Sequence, residues 1–301
     1  MRDAIITFPI FGEGFALNPP RSFVVFGLEI YLYALFVMLG IVMGALYAMR
    51  RSKDFGLTQD NVLDFLFYGV PTALVCTRLF FVLFNLEHFI HDPLRIITGI
   101  RDGGLAIYGG VIGAVLGSYA CSRIKKLDMR SFLDLGGLGL LIGQAIGRWG
   151  NFVNRELYGR ETMLPWRMGL TTEAGTVYVH PAFLYEALWN VLGFILLHTY
   201  TKKVGRKYRG QIFILYLGWY GLGRAGIELL RDPSQNMFLF NTGIPVNLVM
   251  AIGCAVGAFT ANYFLTRKPG EENEQKDEKK DEEKDEKKSE KHTKKKGKKK
   301  S

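Results

Sequence analysis

Two groups of residues combine the side-chain types and the spacing that chemistry needs. The first is Gly147-Arg148-Trp149-Gly150-Asn151-Phe152-Val153-Asn154-Arg155-Glu156-Leu157-Tyr158-Gly159-Arg160. On a helix, Arg148 and Asn151 share a face at i, i+3. Arginine presents a planar fork of donors that matches a phosphate, and asparagine adds a neutral donor. Arg148 stands before a Gly-Asn turn with Glu156 and Arg160 nearby, so it is read as functional. Arg155 and Arg167 are read as water-facing interfacial anchors. The second group is Tyr216, Tyr220, Arg224 and Glu228, each four residues from the next. On a helix they make one polar stripe, the wall of a cavity opening outward. Arg224 and Glu228 alone would be a self-neutralising pair; the two tyrosines on the same line point to a site instead.

Two further segments belong to the same side of the chain. Gly103–Gly110 opens one apolar run and His180–Glu186 opens another. His180-Pro181 is an ordinary helix start. Glu186, about a turn and a half inside, is a buried carboxylate that needs a partner. No P-loop, Gly-x-Ser-x-Gly elbow or His-Glu-x-x-His zinc motif is present in the sequence. His88, His91, His180 and His198 have no metal-ligand spacing with the cysteines. Nothing in the sequence requires a metal or an organic cofactor. Cys76, Cys121 and Cys254 each sit in an apolar run and are odd in number, which argues against a disulfide framework.

These residues have to be positioned by apolar helices. The 301-residue chain is 49% hydrophobic, yet residues 267–301 contain no Ala, Val, Ile, Leu, Met, Phe, Trp, Tyr or Cys. The rest is both apolar and rich in glycine, the composition of helices packed inside a membrane. Seven apolar runs lie near 23–49, 61–84, 104–122, 132–148, 181–200, 211–230 and 244–266. Each approaches the ~20 residues that cross a bilayer. The expected fold class is an all-α integral membrane protein with about seven transmembrane helices. Gly109, Gly113 and Gly117, and likewise Gly139, Gly143 and Gly147, recur at every fourth residue and are read as close helix contacts.

Orientation follows from charge. Basic stretches follow the first, third, fifth and seventh runs, and every lysine lies in one of them or in the tail. By the positive-inside rule the N-terminus is outside and the C-terminus cytoplasmic. Arg148 and Arg224 then sit at outer span ends, where unpaired charge is costly. The chain divides into a polytopic membrane catalytic domain, 1–266, and a charged cytoplasmic tail, 267–301, expected to be disordered. The basic residues of the body lie between apolar runs, so the net charge of +10 is not read as nucleic-acid binding.

At these residues the sequence resembles the prolipoprotein diacylglyceryl transferase family. Arg148–Arg160 resembles the family's signature. Gly103–Gly110, His180–Glu186, Tyr220–Pro233 and Tyr33-Ala34-Leu35 match in order, covering about residue 23 to 266. The resemblance implies a multi-pass enzyme of the bacterial plasma membrane. Such an enzyme transfers the diacylglyceryl group of phosphatidylglycerol to the lipobox cysteine of a prolipoprotein. A thioether forms and glycerol 1-phosphate leaves, the first step of lipoprotein maturation. The implied partners are phosphatidylglycerol, a prolipoprotein lipobox peptide and membrane lipids, with no nucleic acid and no cofactor. The resemblance assigns Arg148 and Arg224 to the phosphate and to catalysis. It assigns Asn151, Gly159 and His180 to substrate binding, and Glu156, Tyr33, Tyr220 and Tyr108 to catalysis. Many members have His where this chain has Tyr108. A tyrosine of pKa about 10 is a poor base at pH 7, so Tyr108 is expected to orient the headgroup or the thiol by a hydrogen bond. On the residues alone, two other readings stay open. One is a transporter or flippase for an anionic lipid or phosphorylated solute; the other is a different phospholipid transferase.

Overall fold

The computed structural model describes residues 3–267 apart from 13, 100–103, 105, 233, 235–237, 240 and 241. The expectations for Gly103, Leu105, Pro233 and the tail beyond Arg267 lie outside these residues. Each of the seven apolar runs contains a long helix. In chain order the helices are α1 (Leu32–Arg51), α2 (Gln59–Phe84), the short α3 (Leu86–Ile90) and α4 (Arg95–Thr98), α5 (Ile107–Lys125), α6 (Met129–Asn154), α7 (Ala182–Lys203), α8 (Gln211–Leu230) and α9 (Val246–Leu265). Among the described residues, four helical segments are long and apolar enough to cross a membrane: Leu32–Phe55, Gln59–Phe84, Ala182–Lys203 and Val246–Leu265.

Local chemistry sets the helix ends. Thr58 and Asn61 form a reciprocal capping box at the start of α2. Arg50 and Arg51, Arg123 and Lys125, and Lys202 and Lys203 occupy the last turns of α1, α5 and α7, where they complement the negative end of the helix dipole. The basic segments meet at one end of the molecule. There Arg206 donates to Asp134 at 3.1 Å and to the Phe55 carbonyl at 3.3 Å. Asp134, fully buried in α6, also accepts from the Gly210 and Phe213 amides at the start of α8.

α6 is central and packs against α1, α7 and α8; α5 packs on α2, and α8 on α9. The glycines decide these approaches. A Cβ on Gly109, Gly113 or Gly117 would overlap backbone atoms of α2. Gly40 and Gly44 of α1 lie directly against Gly143 and Gly139 of α6. Gly147, expected in the same row, has nothing near its Cβ position and is not a packing contact.

The all-α expectation needs correction. β1 (Ile5–Thr7), β2 (Ala16–Leu17), β5 (Met168–Thr172) and β6 (Gly175–Val179) form an antiparallel sheet in the order β2-β1-β5-β6; a separate ribbon pairs β3 (Ser22–Val25) with β4 (Leu28–Tyr31). The first apolar run therefore begins as a hairpin, and helix starts only at Leu32. The run Phe23-Val24-Val25-Phe26-Gly27-Leu28 is rich in β-branched and aromatic residues and is broken by a glycine at the turn, so continuous hydrophobicity could not separate strand from helix. The larger sheet rests on the ends of α6 and α7: Ala4, Ile6, Met168, Leu170 and Val179 pack with Phe152 and Phe183. It thus sits at the end of the molecule that carries Arg148.

Candidate active site

Glu186 is the hub of the site. It lies in the second turn of α7 and is buried. Three guanidiniums reach its carboxylate: Arg148 of α6 pairs closely with Oε2, while Arg231 and Arg224 approach Oε1 at 3.7 and 3.9 Å. Arg224 also pairs with the buried Glu228, one turn on in α8, at 2.8 Å. Glu228 accepts in addition from the amide of Asn247 in α9 at 3.3 Å. Four helices thus converge on one polar cluster.

A second chain of contacts runs from Arg148 into the loop after α6. Arg148 donates to the Asn151 side-chain carbonyl at 3.2 Å, and the Asn151 amide donates to Glu156 at 2.9 Å. Asn154 donates to the same Glu156 oxygen at 3.2 Å. The chain turns back sharply here because Arg155, at the C-cap of α6, adopts positive φ. Arg155 is not the water-facing anchor expected from sequence. It is 4% exposed and donates to the carbonyls of Ala4, Pro19 and Val153 and to Asn18. Those four bonds offset the strained backbone and tie the N-terminal segment to the end of α6.

Arg148, Arg224 and Arg231 face Glu186 and Glu228, and Glu156 joins them through Asn151. Arg231, the C-cap of α8, is buried, and its Nε and Nη2 have no hydrogen-bond partner among the described residues. Burial, and then the neighbouring Arg224, push its pKa below the usual arginine value, yet an arginine stays charged at neutral pH. Buried donors that lack acceptors are rare and call for an explanation. A bound phosphate would supply the missing acceptors.

The other expected residues lie at varied distances from this chemistry. The Tyr33 ring lies against Gly150, where a Cβ would come within 2.6 Å of it. This places α1 beside the last turns of α6. Tyr220 lies beside Tyr216, with the rings tilted by 31° and 6.2 Å between their centres. Tyr216 is not a cavity wall: it is buried in the helical core and accepts from Gln144 at 2.8 Å. Gly159 permits a close backbone approach, since its Cβ would lie 2.6 Å from Cβ of His180 and 2.7 Å from the Leu230 carbonyl. His180 exchanges backbone bonds with Gly159 and Arg160, and its Nδ1 lies 3.2 Å from the Tyr185 hydroxyl. Burial lowers the His180 pKa, so the ring is neutral at pH 7. Tyr108, on the first turn of α5, is half exposed and makes no hydrogen bond or ion pair to the arginine cluster among the described residues. Arg167 lies over the Tyr178 ring at 4.6 Å, remote from the cluster's contacts.

Sequence reasoning missed Arg231 and Asn247, and it left Glu186 without a partner. Arg231 follows Arg224 by seven residues, two helical turns, and so shares its face.

The sequence pattern of the prolipoprotein diacylglyceryl transferase family matches residues 20–274. Relatives named phosphatidylglycerol--prolipoprotein diacylglyceryl transferase include one from Clostridioides difficile, 36% identical over 82% of this chain and 95% of its own. One from Enterococcus faecalis is 36% identical over 82% and 91%, and one from Finegoldia magna is 40% identical over 71% and 84%. The chain belongs to this family.

Proposed function

We propose that this member of the prolipoprotein diacylglyceryl transferase family transfers the diacylglyceryl group of phosphatidylglycerol to the lipobox cysteine thiol of a prolipoprotein. The observation that carries the reading is the convergence of three largely buried arginines on Glu186, with donors of Arg231 unmet among the described residues. Arg148, Arg224 and Arg231 hold the phosphate; Asn151 and Glu156 keep the Arg148 fork in its plane. A thiol of pKa about 8.5 is a few per cent thiolate at neutral pH, and nearby cations raise that fraction. The thiolate attacks the glyceryl carbon that bears the phosphate. A C–S bond forms, the C–O bond breaks, and glycerol 1-phosphate leaves with the electron pair. The guanidiniums are already aligned by Glu186 and Glu228, so they stabilise the growing negative charge with little reorganisation. Tyr33, Tyr108, Tyr220, Gly159 and His180 shape the surroundings of that reaction.

In this reading α5, α6 and α8 span the bilayer together with the four most apolar segments. The N-terminus is outside, and the tail is in the cytoplasm of a bacterium. Residues 1–266 form the catalytic unit in its plasma membrane. Purified protein incubated with phosphatidylglycerol and a lipobox peptide should yield a thioether-linked diacylglyceryl peptide, detected by mass. Binding of the lipid without that product would favour a transporter or flippase.

A further inference from the structure

The β3–β4 ribbon is a part of the fold that this chemistry does not use. It hydrogen-bonds to no other strand among the described residues, and an isolated two-stranded hairpin is marginally stable at best in water. Its two faces differ. The pairs Phe23–Ile30 and Val25–Leu28 make one face wholly apolar; Ser22–Tyr31 and Val24–Glu29 make the other largely polar. Ser22 and Tyr31 both donate to Glu29, and all three line a cavity of about 450 Å³ together with Arg21 and Arg155. Both faces expose apolar side chains: Phe23 is 40% and Leu28 55% exposed on one, and Val24 is 71% exposed on the other. A ribbon surrounded by water keeps its solvent-facing side chains polar.

The tip carries the same message. Phe26 and Gly27 are the two turn residues, with φ of 49° and 78°, as a type I′ turn requires. Gly, Asn or Asp meet the first of those positions with little strain, whereas a bulky aromatic residue does not. Phe26 is also fully exposed. In water it is unfavourable on both counts; in an apolar medium the ring offsets the strain. The base of the ribbon is fixed at the start of a membrane-length helix: Tyr31 is the N-cap of α1, and the Leu32 amide donates to the Arg21 carbonyl at 2.9 Å. Along α1, Val37, Met38, Ile41 and Val42 continue the exposed apolar surface.

We propose that the ribbon is a lipid-docking wedge, whose Phe26, Phe23 and Leu28 enter the bilayer leaflet at the arginine-bearing end of the helices. The partner is a phospholipid surface. Docking fixes the first turn of α1, which carries Tyr33 against Gly150, and holds the mouth of the site at the depth of the headgroups. The inference rests on α1 lying in a membrane and not on the reaction.

Site-directed spin labelling reads the depth directly. The full chain, with Cys76, Cys121 and Cys254 replaced by alanine, is reconstituted in phosphatidylglycerol-containing vesicles. A nitroxide is attached at Phe26→Cys, at Leu28→Cys or, as an aqueous reference, at Glu173→Cys on the exposed turn between β5 and β6. Labels at 26 and 28 should collide several-fold more with dissolved oxygen, and several-fold less with a water-soluble nickel chelate, than the label at 173. The Leu28 label leaves the turn residue untouched, so a disturbed turn cannot produce the result alone. Nickel access at either 26 or 28 equal to that at 173 overturns the proposal. The readout is indifferent to turnover, so it stands or fails separately from the proposed reaction.

Discussion

Arg148 is the residue on which the proposed chemistry depends most, because it joins both contact chains: Glu186 on one side, Asn151 and Glu156 on the other. Lysine would keep its charge but lose the planar fork. Arg148→Lys and Arg148→Ala should each reduce diacylglyceryl transfer by about 10²–10³, the usual loss for one aimed donor, with normal amounts of inserted protein. Arg167→Ala, over Tyr178, should be nearly silent; comparable turnover in all three variants would remove Arg148 from the mechanism. His180 supports a different test. Its pKa is lowered by burial from the ordinary 6.5, so the unfolded chain takes up this proton at higher pH than the folded chain. Its contribution to stability is full above about pH 6.5 and is lost as the pH falls. The thermal midpoint should drop between pH 7.5 and 5.5, and drop less in His180→Gln; identical pH profiles would refute this. Arg148 with Asn151, and Arg224 with Glu228, were legible because helical spacing places each pair on one face. The three-way hold on Glu186 was not, because its partners come from separate helices and no local spacing encodes them.

Helix pairing in this molecule is a matter of glycine. The repeat Gly109, Gly113 and Gly117 was readable as a contact face, and it is the face that α5 turns to α2. The parallel reading of Gly139, Gly143 and Gly147 holds for the first two and fails at the third, which faces open space although α1 touches α6 again at Gly150. Spacing announces a glycine row but not how closely the helix opposite follows it. The two positions should therefore respond oppositely to alanine. Gly113→Ala must push Thr72 and Ala73 of α2 aside, an overpacking cost of about 1–3 kcal/mol. Gly147→Ala meets nothing and removes a flexible residue from mid-helix, a gain of about 0.5–1 kcal/mol. Thermal midpoints in detergent decide this, and a destabilised Gly147→Ala would mean an unseen neighbour at that site. The strands were less legible than the helices. β1, β2, β5 and β6 are two to five residues long, and β1 pairs with β5 across more than half the chain. Such pairings follow from the end-to-end geometry of α6 and α7, which no short sequence window contains.

At the scale of the whole molecule, charge and fold point the same way. Arg51, Lys125, Arg206 and Arg209 gather at one end with Asp54, Asp64, Asp128 and Asp134. The sheet, the ribbon and the Glu186 cluster occupy the other. This polarity matches the lysine pattern read from sequence, because both follow from where each helix ends. A membrane potential and anionic lipids favour the lysine-rich end in the cytoplasm, and the phosphate site would then open on the outer leaflet. A single introduced cysteine tests the assignment. In intact cells of a strain carrying the alanine-substituted chain, Glu173→Cys on the β5–β6 turn should react with a membrane-impermeant thiol reagent. Ser289→Cys in the tail should react only after the membrane is opened. Prompt labelling at 289 with protection at 173 would invert the orientation. The arginine cluster would then face the cytoplasm, and the lipobox thiol would have to be modified there.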